Sequence, residues 1–480
     1  MMEGLAARPY RPPPGSIPTL SVPRLEGIGR LHLIGIGGAG MRGIARLLLA
    51  RGIAVSGSDL KDSAGLAGLR EAGAAVHVGH DARHLQGDPV PDAVVISTAI
   101  ADGNPELRAA TARDIPVYAR AQILAALMRG RRTIAVSGTH GKTTTTSMIA
   151  VILERLGRDP TFVIGGDLNE SGSGARHGGG EWFVAEADES DGSFLLLEPD
   201  VAVATNVADD HLNFYRGGEE IRAAFASFFA SAPVVVTCGD DPGARECLAL
   251  AGRDALTYGV DPSNAVRVRI DPPDGDGARG AIEVDGRWVR IRLRVRPPHN
   301  VLNAAAAVVA AMQAGIEADD AALALRSFTG ARRRFEFRGV AHGAEFFDDY
   351  AVHPTEVRAV LSAVPEEYGR VIAVFQPHRY SRVQSMWRAL GQSLDGADVV
   401  VVTDVYGASE EPVPGVTGKL VVDAAAESAP GKRIVYLPRR SDVAEFLAGE
   451  IRHGDFVVTL GAGDITFVAD ETIDRILEAP

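Results

Sequence analysis

The chain has 480 residues, and its 62 Asp and Glu against 49 Lys and Arg give a formal net charge of −13. This length predicts about three domains, with cores large enough to fold without disulfide or metal staples. The acidic balance argues against general nucleic-acid binding and against attraction to an anionic membrane. Cys238 and Cys247 lack the number and the spacing of a disulfide framework or a metal site.

The amino-terminal residues 1–28 contain a Pro- and Arg-rich stretch and lack the apolar core of a signal peptide. We predict a flexible lead-in there. No apolar run approaches the roughly 20 residues that a membrane-spanning helix needs. These features predict a cytoplasmic protein without membrane insertion.

From residue 31 the chain alternates short apolar strands with helices in three blocks, which predicts α/β architecture with parallel sheets. In the first block, strands are predicted at 31–34, 53–55 and 93–97, and helices at 41–50 and 121–128. In the second, strands are predicted at 133–136, 182–186, 201–205 and 234–238, with a hairpin within 266–296 and helices ending near 156 and at 301–314 and 319–327. The third, from about residue 330, has predicted strands at 345–347, 371–375, 399–403, 433–436 and 456–460, and helices at 354–364, 385–394 and 442–450.

The turn after the first strand carries the pattern G-x-G-x-x-G in Gly35, Gly37 and Gly40. Such glycines let backbone N–H groups approach a pyrophosphate at a helix amino terminus, and Asp59 lies where a ribose-binding acid is expected. Glycines at such turns also serve packing alone. The pattern does not separate a nicotinamide cofactor from another nucleotide diphosphate.

The loop that opens the second block is more specific. It reads Gly138, Thr139, His140, Gly141, Lys142, Thr143 and Thr144, between a predicted strand and a predicted helix. Backbone donors would cradle phosphate oxygens, Lys142 would reach the β- and γ-phosphates, and the Thr143 hydroxyl would hold Mg²⁺. Val136 replaces the first Gly of the usual pattern. A helix-capping turn with a solvated Lys is the alternative.

Two further residues follow strands of the second block. Glu186 ends a predicted strand beside the phosphate loop, where an acid suits a Mg²⁺ ligand or a water positioner. A solvated acidic turn is the alternative. His211 follows another strand, and its spacing alone favours a structural role.

Later clusters allow more than one interpretation. Asn300 and Asn303, one helical turn apart, could bind a nucleotide base or ribose, although helix capping by Asn300 explains them equally well. Arg333 and its neighbours could clamp phosphates or form a solvated basic turn. Arg379 and Arg382, at a strand end of a second doubly wound block, are placed to bind carboxylates, with an exposed loop as the alternative.

Together these motifs resemble the Mur ligases of bacterial peptidoglycan synthesis over residues 31–464, and the missing first Gly is itself a feature of that family. The matching segments are 35–41, 138–144, 186–191, 299–303, 333–335, 348–350, 376–382 and 461–465. Residues 38–41 and Tyr350 are most similar to the members that add L-alanine. Val352 departs from the family, which has His at that position.

The resemblance implies a Rossmann-like amino-terminal domain (29–130) that binds UDP-N-acetylmuramate, a P-loop-type central mononucleotide-binding domain (131–329) that binds ATP, and a Rossmann-like carboxyl-terminal domain (330–480) that helps to hold the amino acid. It implies ATP-dependent ligation of L-alanine to the carboxylate of UDP-N-acetylmuramate through an acyl phosphate, with Mg²⁺ as cofactor. A monomer or weak homodimer is expected.

The resemblance also implies roles for individual residues. Those on the UDP-substrate side are Gly35, Gly37, Gly38, Ala39, Gly40, Asp59, His80 and Ser97. Those on the ATP side are the loop 138–144 with Asn300, Asn303, Arg333 and Asp349. The amino acid would meet Tyr350, Arg379, Arg382 and Ala462. Thr143 and Glu186 would bind one Mg²⁺, His211 would bind a second, and Lys142, Glu186 and His211 would be catalytic.

Three alternatives stay open from the sequence. A sister ligase that adds a recycled murein peptide to UDP-N-acetylmuramate would share nearly every motif. An NAD(P)-dependent oxidoreductase fused to a phosphate-binding module would also explain both glycine loops. A silent nucleotide-binding regulator is disfavoured by the intact Lys142, Glu186 and His211.

Overall fold

The computed structural model describes residues 21–86, 89–169, 172–211, 214–272, 277–364, 368–408 and 410–478. Most of the predicted lead-in therefore lies outside the described residues. Contacts divide the chain into two compact units. The first holds the described residues up to Asp271, with Arg279–Leu293 and Val301–Thr329; the second holds Pro272, residues 277–278, Arg294–Asn300 and the described residues from Gly330 on. Among the described helices, none has the length and apolar character to cross a membrane.

The first unit begins with a parallel sheet that has helices between its strands. Its elements are β1 (Arg30–Ile34), α1 (Ala39–Ala50), β2 (Ala54–Asp59), α2 (Ala64–Glu71), β3 (Ala75–Val78), β4 (Ala93–Ile96), α3 (Pro105–Ala112), β5 (Val117–Ala119) and α4 (Arg120–Met128). The order β3-β2-β1-β4-β5 reverses direction beside β1. That reversal opens a crevice at the carboxyl ends of the strands, where ligands of such sheets bind.

The same unit contains a larger sheet with a parallel centre. Its elements are β6 (Arg132–Ser137), α5 (Lys142–Arg155), β7 (Thr161–Val163), β8 (Ala175–Arg176), β9 (Trp182–Glu186), β10 (Val201–Ala204), α6 (Gly218–Ser231), β11 (Val234–Cys238), α7 (Pro242–Ala251), β12 (Leu256–Gly259), β13 (Val266–Ile270), β14 (Arg279–Val284), β15 (Arg287–Arg292), α8 (Asn300–Met312) and α9 (Ala318–Ala324). The order is β15-β14-β13-β12-β11-β10-β6-β9-β7-β8. The antiparallel pair β14–β15 confirms the hairpin predicted around Asp285 and Gly286.

One buried apolar cluster joins these two sheets. It runs from Leu31 and Leu48 in the first layer to Phe183 and Phe228 in the second. Because burial of apolar surface is the main stabilising contribution to folding, both sheets of this unit depend on one shared core.

The second unit contains the third sheet. Its elements are β16 (Glu336–Ala341), β17 (Ala344–Asp349), α10 (Pro354–Ser362), β18 (Arg370–Phe375), α11 (Tyr380–Ser393), β19 (Val399–Val402), α12 (Gly418–Ser428), β20 (Arg433–Tyr436), α13 (Val443–Glu450), β21 (Asp455–Leu460) and α14 (Val468–Glu478). The order is β16-β17-β21-β18-β19-β20, and only β16 among these described strands is antiparallel to its neighbour. Separate buried clusters form around Phe375 and around Phe346, which is typical of a sheet with helices on both faces.

The predicted α/β class with parallel sheets is confirmed, while several element bounds differ. The helix predicted at 385–394 begins earlier, at Tyr380, and its backbone leaves helical geometry at Met386 (φ −138°). The helix predicted at 319–327 ends as α9 at Ala324, and a tighter 3₁₀ turn follows at Leu325–Ser327. Helices α2, α3, α6, α7, α12 and α14 were not predicted.

Candidate active site

The carboxyl end of β1 leads into the first glycine loop, which the neighbouring strand β2 holds in place. The N–H groups of Gly35 and Ile36 donate to the backbone oxygen of Ser58 at 2.8 and 3.0 Å. The N–H of Gly37 donates to Oδ2 of Asp59 at 2.9 Å. Gly35 has φ 75°, in the region that favours glycine. The carboxylate of Asp59, at the carboxyl end of β2, therefore helps to shape the loop.

The remaining residues predicted for the UDP substrate lie at this same edge of the sheet. Gly38 caps α1, so Ala39 and Gly40 belong to its first turn, where free N–H groups favour anions. His80 follows β3 and Ser97 follows β4. Because β3, β2, β1 and β4 are consecutive and parallel, their carboxyl ends bring all of these residues together.

The phosphate loop, residues 138–144, turns sharply from β6 into α5. Gly138 has φ 127° and Gly141 has φ 82°, which residues with side chains rarely adopt. A Cβ atom at Gly141 would lie 2.7 Å from Oδ1 of Asn303, so that side chain lies against the turn. Val136, in place of the usual first Gly, is a buried residue of β6 paired with β9.

Asn206, just beyond β10, anchors the backbone of this loop. Its backbone oxygen accepts from the N–H of Thr139 at 3.0 Å, and its Oδ1 accepts from the N–H of His140 at 2.9 Å. Its amide nitrogen donates to the backbone oxygen of His140 at 3.0 Å. Thr144 is half-buried in the first turn of α5. The loop is thus held by backbone and side-chain hydrogen bonds from a neighbouring strand end.

Lys142 is paired within the protein. Its Nζ donates to the backbone oxygens of Gly138 (2.6 Å) and Thr139 (3.3 Å) and to Oε1 of Glu189 (2.8 Å). Burial lowers the pKa of Lys142, but the charges of Glu189 and Asp188 outweigh it and raise that pKa above its usual value. Lys142 is therefore a fixed cation beside the loop.

Thr143 and Glu186 come together as the sequence predicts. The Thr143 hydroxyl donates to Oε1 of Glu186 at 3.1 Å, and the N–H of Gly165 donates to Oε2 at 2.7 Å. Hydroxyl and carboxylate oxygens are suitable ligands for Mg²⁺, and water and substrate phosphates usually complete its coordination shell. In the described ranges no group of three or more His, Cys, Asp or Glu side chains is arranged to hold a metal.

His211 has a different set of neighbours. Its Nε2 lies 3.4 Å from Oε1 of Glu189 and 3.7 Å from Oδ2 of Asp210, and its backbone has φ 55°. Burial lowers the pKa of His211, but the hydrogen bond with Glu189 and the charge of Asp210 raise it overall. The hydroxyl of Tyr215 donates to the backbone oxygen of Glu189 at 2.6 Å. Glu189 thus faces both Lys142 and His211.

Arg120, at the start of α4, brings a cation between the two glycine-rich loops. Its Nη2 lies 3.1 Å from Oδ2 of Asp188, and a Cβ atom at Gly40 would collide with its guanidinium group. Burial lowers the pKa of Arg120, while the charges of Asp188 and Asp191 raise it overall. The first and second sheets are therefore tied together by charge beside the predicted ligand loops.

Asn300 and Asn303 both lie in the first turn of α8 and both are buried. The backbone N–H of Asn300 donates to the oxygen of Pro297 at 3.0 Å. Asn303 is the one of the two that lies against Gly141 of the phosphate loop.

In the second unit, Arg333 binds a backbone loop after β21. Its Nη1 donates to the oxygen of Ala462 at 3.1 Å, and its Nη2 donates to those of Gly461 (2.6 Å) and Gly463 (3.2 Å). Its Nε donates to Oδ2 of the buried Asp348 at 3.2 Å. In this structure the guanidinium group holds the loop together, and the carbonyl groups of residues 461–463 point toward it.

Asp349 ends β17 beside that loop, and Tyr350 follows it. The carboxylate of Asp349 accepts from the N–H of Phe335 at 2.7 Å and of Ala351 at 2.8 Å. Burial raises the pKa of Asp349 to about 6. The ring of Tyr350 is partly exposed, and the guanidinium carbon of Arg334 lies 5.2 Å from its centre.

A group of arginines follows β18. Arg379 is the N-cap of α11 with φ 67°, and its N–H donates to the backbone oxygen of Tyr406 at 2.9 Å. Burial and the charges of three neighbouring arginines lower the pKa of His378 to about 3. Those arginines are Arg382, Arg379 and Arg333. Cations concentrated in this way suit a ligand carboxylate.

The family position occupied by Val352 is buried here, and the adjacent His353 starts α10. The Nδ1 of His353 accepts from the N–H of Thr355 at 3.3 Å, while Oε2 of Glu356 accepts from the N–H groups of Val352 and His353. His353 therefore caps a helix in this structure.

Three family models match the chain. They are described as "Mur ligase family, catalytic domain" (residues 30–132), "Mur ligase middle domain" (136–311) and "Mur ligase, glutamate ligase domain" (333–463). A UDP-N-acetylmuramate–L-alanine ligase of Acidothermus cellulolyticus is 47% identical over 462 residues, 94% of this chain and 96% of the relative. The chain belongs to the Mur ligase family. This Mur ligase is also 47% identical to the enzyme of the same name from Nocardia farcinica, over 94% of the chain and 95% of that relative.

Solved structures agree with the fold. A UDP-N-acetylmuramate–alanine ligase of Thermotoga maritima matches with a TM-score of 0.81 and 28% identity, over 94% of this Mur ligase and 100% of that chain. A murein peptide ligase of Psychrobacter arcticus matches with a TM-score of 0.71 and 25% identity, over 95% and 100%. The three-domain α/β fold of the family is therefore that of this chain.

Several residues of this Mur ligase that shape the site were not predicted. Asn206, Glu189 and Arg120 are distant in sequence from the residues they hold, and Asp348 lies in the matching segment 348–350 without a predicted role of its own. For Glu189, the available signal was its place three residues after Glu186, within the same acidic turn. The sequence around Asn206 and Arg120 contains no pattern that indicates which residues they contact.

Proposed function

We propose that this chain joins L-alanine to the lactoyl carboxylate of UDP-N-acetylmuramate, with conversion of ATP to ADP and phosphate, in the cytoplasm. The observation that carries the proposal is the 47% identity, over almost the whole length of both chains, to ligases named for that reaction. The assigned domains are 29–130 for the UDP substrate, 131–329 for ATP and 330–480 for the amino acid. The weaker match to a murein peptide ligase favours alanine over a recycled peptide.

The carboxylate of UDP-N-acetylmuramate is a poor electrophile, so it must be activated before an amine can attack it. The substrate carboxylate attacks the γ-phosphate of ATP to give an acyl phosphate, and the alanine amine then displaces phosphate. Such phosphoryl transfer depends on positioning and on charge stabilisation more than on covalent help from the protein. Lys142 is the cation assigned to the transferring phosphoryl group, because it is charged and lies on the phosphate loop.

We assign Thr143 and Glu186 to a Mg²⁺ ion, which when bound would neutralise charge on the phosphates. Their paired oxygens support that assignment. We assign a second Mg²⁺ ion to His211, although Mg²⁺ binds imidazole nitrogen less often than oxygen. The family resemblance and the carboxylate of Glu189 beside His211 support this assignment. Asn300, Asn303, Arg333 and Asp349 complete the proposed ATP side.

The amino-acid site is assigned to Arg379, Arg382, Tyr350 and Ala462. The charges gathered around His378 support a carboxylate ligand at that place. Arg333 would act there through the loop that it holds.

The deciding experiment measures phosphate release by the purified chain with ATP, Mg²⁺ and UDP-N-acetylmuramate. L-alanine, glycine, L-serine, D-glutamate and the murein tripeptide are supplied one at a time. We expect the highest kcat/KM with L-alanine. A higher value with the tripeptide would identify the sister ligase, and NADH binding without phosphate release would identify the oxidoreductase.

We predict that Asp59→Ala raises the KM for UDP-N-acetylmuramate by about ten-fold and leaves the KM for ATP unchanged, because a lost hydrogen bond to a charged group costs about 1.5–3 kcal/mol. The carboxylate that holds the N–H of Gly37 would be gone. Steady-state kinetics check this. Asp62→Ala is the control, since Asp62 is an exposed carboxylate paired with Arg70. An equal rise in both KM values would contradict the assignment.

We predict that Arg382→Ala raises the KM for L-alanine by at least about ten-fold, since a charge-assisted hydrogen bond to the carboxylate is lost. The KM for UDP-N-acetylmuramate is expected to stay the same. Arg388→Ala, on the same helix and stacked over Trp387, is the matched control. An unchanged KM for alanine in Arg382→Ala would remove that residue from the amino-acid site.

A further inference from the structure

The ammonium group of Lys142 has three hydrogens, and the protein supplies an acceptor for each of them. The acceptors are the backbone oxygens of Gly138 and Thr139, at 2.6 and 3.3 Å from Nζ, and Oε1 of Glu189, at 2.8 Å. A phosphate that contacts Nζ must therefore take a hydrogen from one of these three acceptors. The acceptor that yields determines how the loop receives its nucleotide.

The amino terminus of α5 lies beside the same ammonium group. The N–H groups of Lys142, Thr143 and Thr144 belong to its first turn, where a helix offers no intrahelical acceptor, and the N-cap Gly141 has no side chain that could accept from them. N–H groups at a helix amino terminus, together with the helix dipole, favour a phosphate. An anion bound by this turn comes close to Lys142, which is the first residue of the helix.

Glu189 presents a rival anion to this ammonium group. Its side chain is 2% exposed, and a carboxyl group 2.8 Å from an ammonium nitrogen is ionised. Among the described acids it is the one within ion-pair distance of Lys142, since Asp188 and Glu186 pair with other side chains. In a poorly hydrated site two anions compete for one cation, because each weakens the field that the cation offers to the other.

The two loop oxygens are poorly placed to yield to a phosphate. Gly138 and Thr139 lie only four and three residues before Lys142, so their distances from Nζ are set by the backbone of the loop. Asn206 holds that backbone through the N–H of Thr139. A phosphate also repels the full negative charge of Glu189 more strongly than the partial charge of a carbonyl oxygen. The carboxylate is therefore the acceptor that yields.

The carboxylate of Glu189 can turn away while its backbone stays in place. Its backbone oxygen accepts from the hydroxyl of Tyr215 at 2.6 Å and from the N–H of Gly192 at 3.1 Å. The carboxylate has two further neighbours: the Ser137 hydroxyl donates to Oε2 at 3.3 Å, and Nε2 of His211 lies 3.4 Å from Oε1. Glu189 therefore keeps polar partners when it releases Lys142, which limits the cost of the exchange.

We propose that Glu189 is a positioning residue that competes with ATP for Lys142: its carboxylate holds the ammonium group against the phosphate loop and releases it to an arriving phosphate. This rests on the proposed function, in which the loop binds ATP. After phosphoryl transfer, the return of the carboxylate to Lys142 weakens the hold on ADP. The competition lowers the affinity for bound nucleotides, where tighter binding would not raise kcat.

The test measures the dissociation constants of ADP and of a non-hydrolysable ATP analogue by calorimetry, with Mg²⁺, for wild type and Glu189→Gln. The amide keeps the size of the side chain and removes its charge. Both nucleotides are expected to bind the variant about ten-fold more tightly, because a charged competitor is removed. ADP is expected to become a stronger product inhibitor by a similar factor. Unchanged or weaker nucleotide binding by the variant would overturn the proposal.

Asp200→Asn is the matched control. Oδ2 of Asp200 accepts from the N–H and the hydroxyl of Thr133 at 2.7 and 3.1 Å, near the start of β6, the strand whose other end leads into the phosphate loop. This variant is expected to lose thermal stability and to keep the wild-type affinity for ADP. A merely structural role for Glu189 would give Glu189→Gln the same result, with lower stability and no gain in affinity.

A crystal structure of wild type with the ATP analogue and Mg²⁺ tests the exchange without a variant. Nζ of Lys142 is expected within about 3 Å of a phosphate oxygen and beyond hydrogen-bond distance from Oε1 of Glu189. A structure in which Nζ contacts the phosphate and still contacts Glu189 would overturn the proposal. Tighter nucleotide binding by Glu189→Gln, in a protein that does not join L-alanine to UDP-N-acetylmuramate, would contradict the proposed function and leave the role of Glu189 intact.

Discussion

Lys142→Ala is expected to abolish ligation, with a loss in kcat on the order of a thousand-fold or more, because the fixed cation at the transferring phosphoryl group would be absent. The side chain is charged and donates to the backbone oxygens of the phosphate loop and to Glu189. Release of phosphate that depends on both UDP-N-acetylmuramate and L-alanine measures the effect. Near-normal release would contradict the assignment of the phosphate loop.

The fold of this variant is expected to survive, at a cost of about 1–3 kcal/mol for leaving one partner of a buried hydrogen bond unpaired. Glu189 keeps Ser137 and His211 as neighbours. Adding Glu189→Gln removes the excess negative charge, so the double variant is expected to recover thermal stability without recovering ligation. Lys419→Ala is the control, because Lys419 forms an exposed ion pair with Asp423.

Glu186→Gln is expected to lower kcat by about a hundred-fold, since one charged ligand is lost from a site that stabilises developing charge. The amide keeps the shape of the side chain: its one oxygen can still accept from the Gly165 N–H, while its NH₂ group would donate to the Thr143 hydroxyl oxygen. The Mg²⁺ concentration for half-maximal rate is expected to rise as well. A metal titration of initial rates measures both effects.

Glu154→Gln provides the comparison for this second variant. Glu154 is a partly exposed acid of α5, the helix that carries Thr143, and it pairs with Arg176 at 2.8 Å. Its substitution is expected to leave the metal dependence unchanged. If Glu186→Gln also kept the wild-type dependence on Mg²⁺, the metal would have to be held without that carboxylate.

The sequence was most informative where the relevant geometry is local. Strand, glycine turn and helix are consecutive around Lys142, so the loop and its lysine could be predicted from residues 138–144. Glu186 could be placed because it ends a strand, and strands β6 and β9 pair so that Val136 lies opposite Glu186. The parallel sheets followed from the alternation of apolar runs with helices.

The contacts that complete the site are not local, and the sequence did not reveal them. Glu189 lies 47 residues from Lys142, and Asp188 lies 68 residues from Arg120. The buried Glu106 contacts side chains from three strands or turns besides its own helix. No periodicity in one chain encodes such pairs, because they depend on the order of the strands in the sheet.

The anchoring of the phosphate loop by Asn206 has a consequence for transplanting it. The hydrogen bond between the N–H of His140 and Oδ1 of Asn206 joins residues 66 positions apart. A graft of residues 138–144 into another strand–helix turn would carry the lysine and both glycines but leave two backbone N–H groups without their acceptor. A faithful transplant would need the neighbouring strand end as well, so the smallest portable unit is a pair of strands and not a heptapeptide.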